Sequence, residues 1–142
     1  MRLLLLLVAL LSLGCQPKDP RAEMTPEQVA IAFLDAIYVQ QNTQLASEFV
    51  SDELKELLAH YRLPSSVQRH VLGLRMNNAE LMIGDVGIDF FRLSDKDIQV
   101  TVKLEGDLDF ERRLDDRTLE LNRINGYWYV TKVEMDIHDI NG

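Results

Sequence analysis

The chain contains almost no cysteine and no motif that would hold a nucleotide or a metal ion. Cys15 is its single cysteine, so no internal disulfide can form and packing must supply the stability of the fold. The sequence has no glycine-rich phosphate loop, no paired-cysteine motif and no His-Glu-x-x-His motif. These absences exclude the common nucleotide-loop and zinc-site classes, and we expect neither a cofactor nor a metal ion.

Basic residues are also scarce. The chain has 15 Lys and Arg against 23 Asp and Glu, which gives a formal net charge of −8 over 142 residues. A chain this acidic repels phosphate backbones, and no local cluster of basic residues offsets that repulsion. The composition therefore excludes nucleic acid as a partner. The length suits one domain with a single hydrophobic core.

The longest apolar run lies at the start of the chain. Arg2 supplies a positive charge, Leu3 to Leu13 form the run, and Gly14 directly precedes Cys15. At about 1.5 Å of rise per helical residue, this run falls well short of the roughly 30 Å hydrocarbon core of a bilayer. The pattern is therefore typical of a secretory signal rather than of a membrane span.

The end of this run, Leu-Ser-Leu-Gly-Cys at residues 11–15, resembles the bacterial lipobox. The resemblance implies a signal peptide over residues 1–14, cleavage between Gly14 and Cys15, and acylation of Cys15, as in palmitate-bearing lipoproteins. Gln16 stands where an Asp is typical of inner-membrane retention. We therefore expect an anchor in the outer membrane facing the periplasm, with the inner membrane as the alternative. A plain signal peptide or an ordinary buried cysteine is the other interpretation of Cys15.

The residues after the cysteine predict a tether. Residues 16–24 contain two prolines, mixed charges and few apolar side chains. This composition is typical of a flexible linker. We predict that residues 15–24 form a lipidated cysteine and a flexible tether, which joins the membrane to a single folded domain over residues 25–142.

The first half of that domain has helical periodicity. Thr25 and Gln28 predict a capping box at the start of the first helix, and an apolar face follows at helical spacing. Thr43, Ser51 and Ser65 are candidate caps of three shorter helices. The first half is therefore expected to be helical.

After residue 78 the apolar residues alternate, which indicates strands. The parity of this alternation changes between Gly84 and Gly87, which predicts a bulge. Gly106 is either a bend within a long strand or a tight turn, and we favour the bend. Asp115-Asp116 predicts a turn, and Asn125-Gly126 predicts a hairpin. The sequence thus predicts an α+β domain in which N-terminal helices pack on one face of a curved antiparallel sheet.

A family resemblance rests on this order of elements. The Thr-Pro-Glu-Gln helix start at residues 25–28 and the Asn-Gly-Tyr-Trp-Tyr-Val hairpin at residues 125–130 resemble the nuclear-transport-factor-two-like superfamily, also called the cystatin-like cone. The resemblance implies a cone-like sheet with a pocket between helix one and its concave face. The residues that would form this pocket, or fill it as core, are Phe33, Ile37, Phe90 and Trp128. Because members include enzymes, ligand binders and interaction modules, the fold does not carry a function across.

Candidate proton-transfer groups are few. Asp89 is the first carboxylate to consider as a general base, but its alternation with the apolar residues on either side points it away from the apolar face. His60 and His70 lie on predicted helices and are interpreted as surface residues. Residues 136–139, Asp-Ile-His-Asp, contain metal-ligand types and are interpreted as a solvated polar end. We assign no catalytic residue from the sequence.

Two hypotheses remain. The first is a lipid-anchored binding or protein-interaction module of the cell envelope, whose partner beyond the membrane is an envelope protein or a small apolar ligand. The second is a small cone-pocket enzyme of the isomerase, dehydratase or hydrolase type. The aromatic run Tyr127–Tyr129 can line a ligand pocket or pack across strands. A buried carboxylate or histidine with a displaced pKa would favour the enzyme, and the scarcity of such groups favours the binding module.

Overall fold

A computed structural model describes Gly14, residues 17–87 and residues 97–135. Helices come first and strands follow, in the predicted α+β order. The helices are α1 (Pro26–Tyr38), α2 (Thr43–Ala46), α3 (Asp52–Tyr61) and α4 (Pro64–His70), with 3₁₀ turns at Pro20–Glu23 and Ser47–Phe49. The strands are β1 (Asn77–Gly87), β2 (Asp97–Leu108), β3 (Glu111–Ile124) and β4 (Tyr127–Glu134). In this part of the chain they form one antiparallel sheet in the order β1-β2-β3-β4.

Helix α1 begins as the sequence predicts. The Thr25 hydroxyl accepts a hydrogen bond from the Gln28 amide nitrogen at 3.3 Å, and the Gln28 side chain accepts one from the Thr25 amide nitrogen at 2.9 Å. Val29, Phe33 and Ile37 follow at helical spacing and are fully buried. The predicted capping box and the apolar face of α1 are confirmed. Across the described ranges, no helix has the length and apolarity needed to cross a bilayer.

The caps of the shorter helices agree only in part with the sequence. Ser51 caps α3, as predicted. Asn42 rather than Thr43 caps α2: its side-chain oxygen accepts a hydrogen bond from the amide nitrogen of Leu45, the third residue of the helix, at 3.0 Å. Helix α4 begins at Pro64 without a side-chain cap, so the capping box predicted at Ser65 is wrong. The residue before Pro64 is Leu63, whose side chain has no oxygen that could accept a hydrogen bond from the first amides of the helix.

Strands β1 and β2 show the bulge that the sequence predicts and a strand that continues through Gly106. The register between them shifts between Ile83 and Val86, which confirms the bulge. Strand β2 continues through Gly106 to Leu108, so Gly106 lies within a long strand rather than in a tight turn. Gly106 is also buried, because β1 crosses close to it.

The turn predicted at Asp115-Asp116 is wrong. Both residues lie inside β3 and pair with β2. Strands β2 and β3 are joined at Asp109-Phe110, where φ is 51° and 68°. The sequence has no Asn-Gly or Asp-Gly pair at that position. The turn was predicted at Asp115-Asp116 because two adjacent aspartates are common in turns. The hairpin at Asn125-Gly126 is confirmed, with φ of 52° and 87°.

The core lies between α1 and the inner face of the sheet. Phe33 and Ile37 are fully buried there, so these two residues are core and do not line a pocket. The β2 side chains of predicted inward parity are buried against them: Val100, Val102 and Leu104. Trp128 is partly buried and packs at the margin of this core. Phe90 and Asp89 fall outside the described residues, as do Cys15 and residues 136–139.

Residues 19–24 differ from the predicted flexible tether. They form a 3₁₀ helix, Pro20–Glu23, capped by the Asp19 carboxylate, which accepts a hydrogen bond from the Arg21 amide nitrogen at 2.9 Å. The second oxygen of Asp19 accepts a hydrogen bond from the Tyr127 hydroxyl at 3.1 Å. We call residues 19–24 the strap. The folded part of the chain therefore begins before Thr25.

Arg21 supplies most of the contacts that hold the strap. Its guanidinium donates a hydrogen bond to the Trp128 carbonyl oxygen in β4. It also lies over the Phe49 and Tyr129 rings, 5.1 Å and 5.2 Å from their centroids. Composition did not indicate this docking, because a single arginine can hold a segment by cation–π and hydrogen-bond contacts without apolar content.

Candidate functional site

An apolar groove of about 370 Å³ opens beside α1. Its volume lies within the range of about 300 to 1,000 Å³ that is usual for small-molecule sites. The apolar lining consists of Ile31, Ala32, Leu45, Phe49 and Ile83. The polar residues that contribute to the lining are Glu27, Gln28, Asp35 and Gln40. We call this cavity the α1 groove.

Three local features place the apolar side chains in the α1 groove. Ile31 and Ala32 lie on α1 outside its buried stripe, so each remains half buried. The short helix α2 and the 3₁₀ turn that follows bring Leu45 and Phe49 to the same side of α1. Ile83 has inward parity, but it stands at the bulge of the outermost described strand and is 41% exposed. The sequence signal for this groove was a helix that is apolar beyond one stripe.

Carboxylates stand among the polar residues of the groove. Asp35 accepts a hydrogen bond from the Gln40 side-chain amide at 2.5 Å, which holds both side chains together. Glu27 lies two turns earlier on α1 and is half buried. These two residues give the groove a negative potential, which disfavours an anionic ligand. The described lining contains no histidine, cysteine, serine or lysine that would pair with them for acid–base or nucleophilic chemistry.

A buried arginine that the sequence did not predict lies on the other side of the core. Arg117 is 5% exposed and lies on the inner face of β3. It donates hydrogen bonds to the carbonyl oxygens of Leu72 at 2.6 Å and Gly73 at 3.0 Å, and to the Asp115 carboxylate at 3.0 Å. Arg117 therefore fixes the connection between α4 and β1. In the sequence, Arg117 alternates in step with Leu119 and Leu121, and this pattern could have predicted that Arg117 is buried.

Tyr38 supports the same connection from α1. Its hydroxyl donates a hydrogen bond to the Leu74 carbonyl oxygen at 2.6 Å. Burial raises the pKa of Tyr38 well above its usual range, and the positive charge of Arg117 offsets part of that rise. The phenol therefore stays protonated and acts as a structural donor.

The predicted surface histidines are confirmed. His60 and His70 are exposed, and both contact Tyr61, with ring centroids 5.0 Å apart in each pair. Among the described residues, no group of three or more His, Cys, Asp or Glu could hold a metal ion. Of the residues predicted as pocket or core, Phe33 and Ile37 are core and Trp128 packs against that core, while a different set lines the groove.

The groove and the strap share one side chain. Phe49 lines the α1 groove, and the Arg21 guanidinium packs on its ring. Partial burial lowers the pKa of Arg21, while the neighbouring tyrosines and carboxylates act in the opposite direction. The position of the Phe49 ring therefore depends on the strap.

No family model and no curated protein matches this chain. Among solved structures, the intermembrane space region of the chloroplast protein ARC6 is similar at 12% identity, over 78% of this chain and 96% of that one, with a TM-score of 0.45. A likeness this low supports no statement about function. The resemblances to the lipobox and to the nuclear-transport-factor-two-like superfamily therefore stay predictions.

Proposed function

We propose that this protein is a lipid-anchored binding module at the periplasmic face of the outer membrane, and that its α1 groove holds an apolar small molecule. The observation that carries the proposal is an apolar cavity of about 370 Å³ on a strongly acidic protein. The lipobox-like residues 11–15 support the location. Helices on one face of an antiparallel sheet agree with the cone-like superfamily, whose members include ligand binders.

The charges of the groove narrow the class of ligand. Glu27 and Asp35 contribute carboxylates, and the described lining contributes no cation. A free carboxylate or phosphate on the ligand would be repelled, because charges near a partly buried surface interact more strongly than in bulk water. The ligand is therefore uncharged or cationic, and the glutamine amides offer it hydrogen bonds.

The enzyme alternative has less support. It requires a pocket under the sheet with a proton-transfer group, and Phe33 and Ile37 fill the part of that space that the structure describes. Tyr38 and Arg117 are polar and buried, but both donate to backbone carbonyls. Their hydrogen-bonding capacity serves the fold, which favours the binding module.

Dye binding tests the groove directly. We expect uncharged N-phenyl-1-naphthylamine to bind with saturable fluorescence, and Ala32→Trp to weaken its binding at least tenfold by filling the groove, with little change in melting temperature. Ile124→Ser is the matched control, since it removes an exposed apolar side chain outside the groove lining. Equal dye affinity in the Ala32→Trp variant would contradict the proposal.

A second dye tests the charge selectivity. The anionic dye 8-anilinonaphthalene-1-sulfonate should bind more weakly than the uncharged dye, and the double substitution Glu27→Gln and Asp35→Asn should narrow that difference. The amides keep the size of the side chains and leave a hydrogen-bond acceptor for Gln40. If the double variant leaves the ratio of the two affinities unchanged, the carboxylates do not select the ligand.

A further inference from the structure

An aromatic residue, Phe110, lies at the tip of the hairpin between β2 and β3, in a backbone conformation that its side chain disfavours. Phe110 occupies the second position of a two-residue turn, with φ of 68°. Turns of this kind prefer Asn, Asp or Gly, because other side chains clash with the backbone at positive φ. Asp109 suits the first position and Phe110 does not suit the second. The chain therefore holds a bulky residue in a strained conformation.

Packing does not offset this strain. The Phe110 side chain is 106% exposed, the most exposed of the large apolar side chains in the described residues. Leu114, in strand β3 of the same hairpin, is also exposed. A large aromatic residue that is strained and fully exposed among the described residues marks a surface for a partner.

The strap and the Phe110 hairpin lie at opposite ends of β3. Asp19 of the strap binds Tyr127, the first residue after the Asn125-Gly126 turn. Strand β3 has 14 residues and, at about 3.3 Å per residue, places roughly 40 Å of strand between the two turns. Phe110 is therefore remote from the point where the chain enters the domain.

This separation has a consequence that rests on the proposed lipid anchor. Asp19 follows Cys15 by four residues, and an extended chain spans at most about 3.6 Å per residue, so the anchor and Asp19 lie within about 14 Å of each other. The Asn125-Gly126 turn then lies next to the membrane. Phe110 lies at the other end of β3, roughly 40 Å along the strand from that turn.

Charges next to Phe110 indicate the chemistry of the partner. Asp109 and Glu111 flank it, and Asp107 lies before them on β2. Glu111 pairs with Arg113 at 3.4 Å. Arg112 is engaged by three carboxylates, those of Glu80 at 3.0 Å, Glu105 at 3.2 Å and Asp107 at 3.6 Å. The Asp109 carboxylate has no ion pair within the described residues and is exposed. The turn thus presents the Phe110 ring beside the exposed Asp109 carboxylate, while Arg112 and Arg113 pair with the other carboxylates nearby.

We propose that Phe110 and the adjacent Asp109 carboxylate dock into an apolar pocket, rimmed by lysine or arginine, on another envelope protein. The aromatic ring supplies the buried contact, and the carboxylate supplies orientation and a salt-sensitive attraction. The strap binds the domain at the opposite end of β3 from this turn.

The stability of the free protein provides the first test. Phe110→Gly should raise the melting temperature by about 3 to 6 °C, because glycine accepts positive φ without strain and no intramolecular packing is lost. Asn125→Gly is the matched control and should change little, since asparagine already tolerates this conformation. A melting temperature lowered by Phe110→Gly would show that the ring stabilises the fold and would overturn the proposal.

Crosslinking in living cells provides the second test. The photo-reactive p-benzoylphenylalanine is placed at position 110 of the lipidated full-length protein and, as a control, at position 124. We expect a discrete protein adduct from position 110 that position 124 does not give. The protein in that adduct, once identified and purified, should bind the lipidated chain at least tenfold more weakly after Phe110→Ser, and more weakly as salt rises.

Several outcomes would overturn the docking proposal. They are no adduct from position 110, the same adduct from both positions, an adduct of two copies of this chain, and undiminished binding by the Phe110→Ser variant. Failure of the lipid anchor would instead be seen in membrane fractionation, and failure of the α1 groove in dye binding. Phe110→Ser should change neither of those measurements.

Discussion

Gly106→Ala is a severe test of how β1 and β2 approach each other. A Cβ atom at position 106 would lie 2.3 Å from Cγ and 2.6 Å from Sδ of Met76. It would also lie 2.8 Å from the Asn77 carbonyl oxygen. The methionine side chain can move, but the carbonyl belongs to the backbone of β1, which is paired with β2 at this point. The substitution must therefore displace the strand itself.

The expected cost follows from that displacement. Added atoms in a packed interior usually cost about 1 to 3 kcal/mol, and the backbone contact places this change in the upper half of the range, at about 2 to 3 kcal/mol. For a domain of this size, 1 kcal/mol corresponds to about 3 to 5 °C. The melting temperature should therefore fall by roughly 6 to 15 °C.

Urea unfolding is the appropriate assay, because the chain has a single tryptophan, Trp128, as a fluorescence probe. The midpoint should fall with little change in slope, since the surface exposed on unfolding is the same. Gly87→Ala is the matched control in β1, because no described atom lies within 4 Å of its added Cβ. Adding Met76→Ala should not rescue Gly106→Ala, because the contact with the Asn77 carbonyl oxygen remains and Met76 is itself buried core. If Gly106→Ala and Gly87→Ala unfold alike, the close approach at Gly106 is wrong.

Four further predictions follow from the anchor, the hairpin, the strap and the core. Cys15→Ser should abolish membrane fractionation at high salt while the melting temperature is kept, and persistent flotation would contradict the lipobox. Asn125→Val should lower the free energy of unfolding by about 1 to 2 kcal/mol, because a β-branched residue resists the positive φ of this turn; an unchanged melting temperature would contradict this. Arg21→Met should speed amide hydrogen exchange in the strap, and unchanged exchange would mean that other contacts hold it. Because folding raises the pKa of Tyr38, the unfolded chain loses its phenol proton first, so the free energy of unfolding should fall as pH rises above about 10; Tyr38→Phe should reduce that dependence, and an identical pH profile would contradict it.

The features predicted correctly from the sequence share one property, which is that each depends on neighbouring residues. Thr25 and Gln28 reach each other because they lie on one helical turn, and Asn125-Gly126 forms a turn because both residues accept positive φ. The alternation from Val100 to Leu104 likewise gave the buried face of β2. Local geometry therefore determined the start of α1, the last hairpin and the parity of the central strand.

Where the prediction was wrong, contacts distant in sequence decided the structure. The Asp115-Asp116 pair resembles a turn, yet pairing with β2 and the Arg117 contact keep Asp115 in a strand. Residues 19–24 resemble a tether, yet Arg21 docks them on β4 more than a hundred residues later. A local pattern carries no information about such partners, because their energy depends on the completed fold.

The α1 groove shows the same division between sequence and tertiary structure. The sequence alone determined that α1 is apolar around more than one face, that the chain is acidic, and that it has a lipobox-like start. Only the tertiary structure decided that Phe33 and Ile37 are filled core, while Ile31 and Phe49 border a cavity. The reason is physical, because burial stabilises any apolar side chain, whichever face of the helix it lies on. Which side chains of α1 stay exposed is decided by how α2 and the bulged strand β1 pack around the helix.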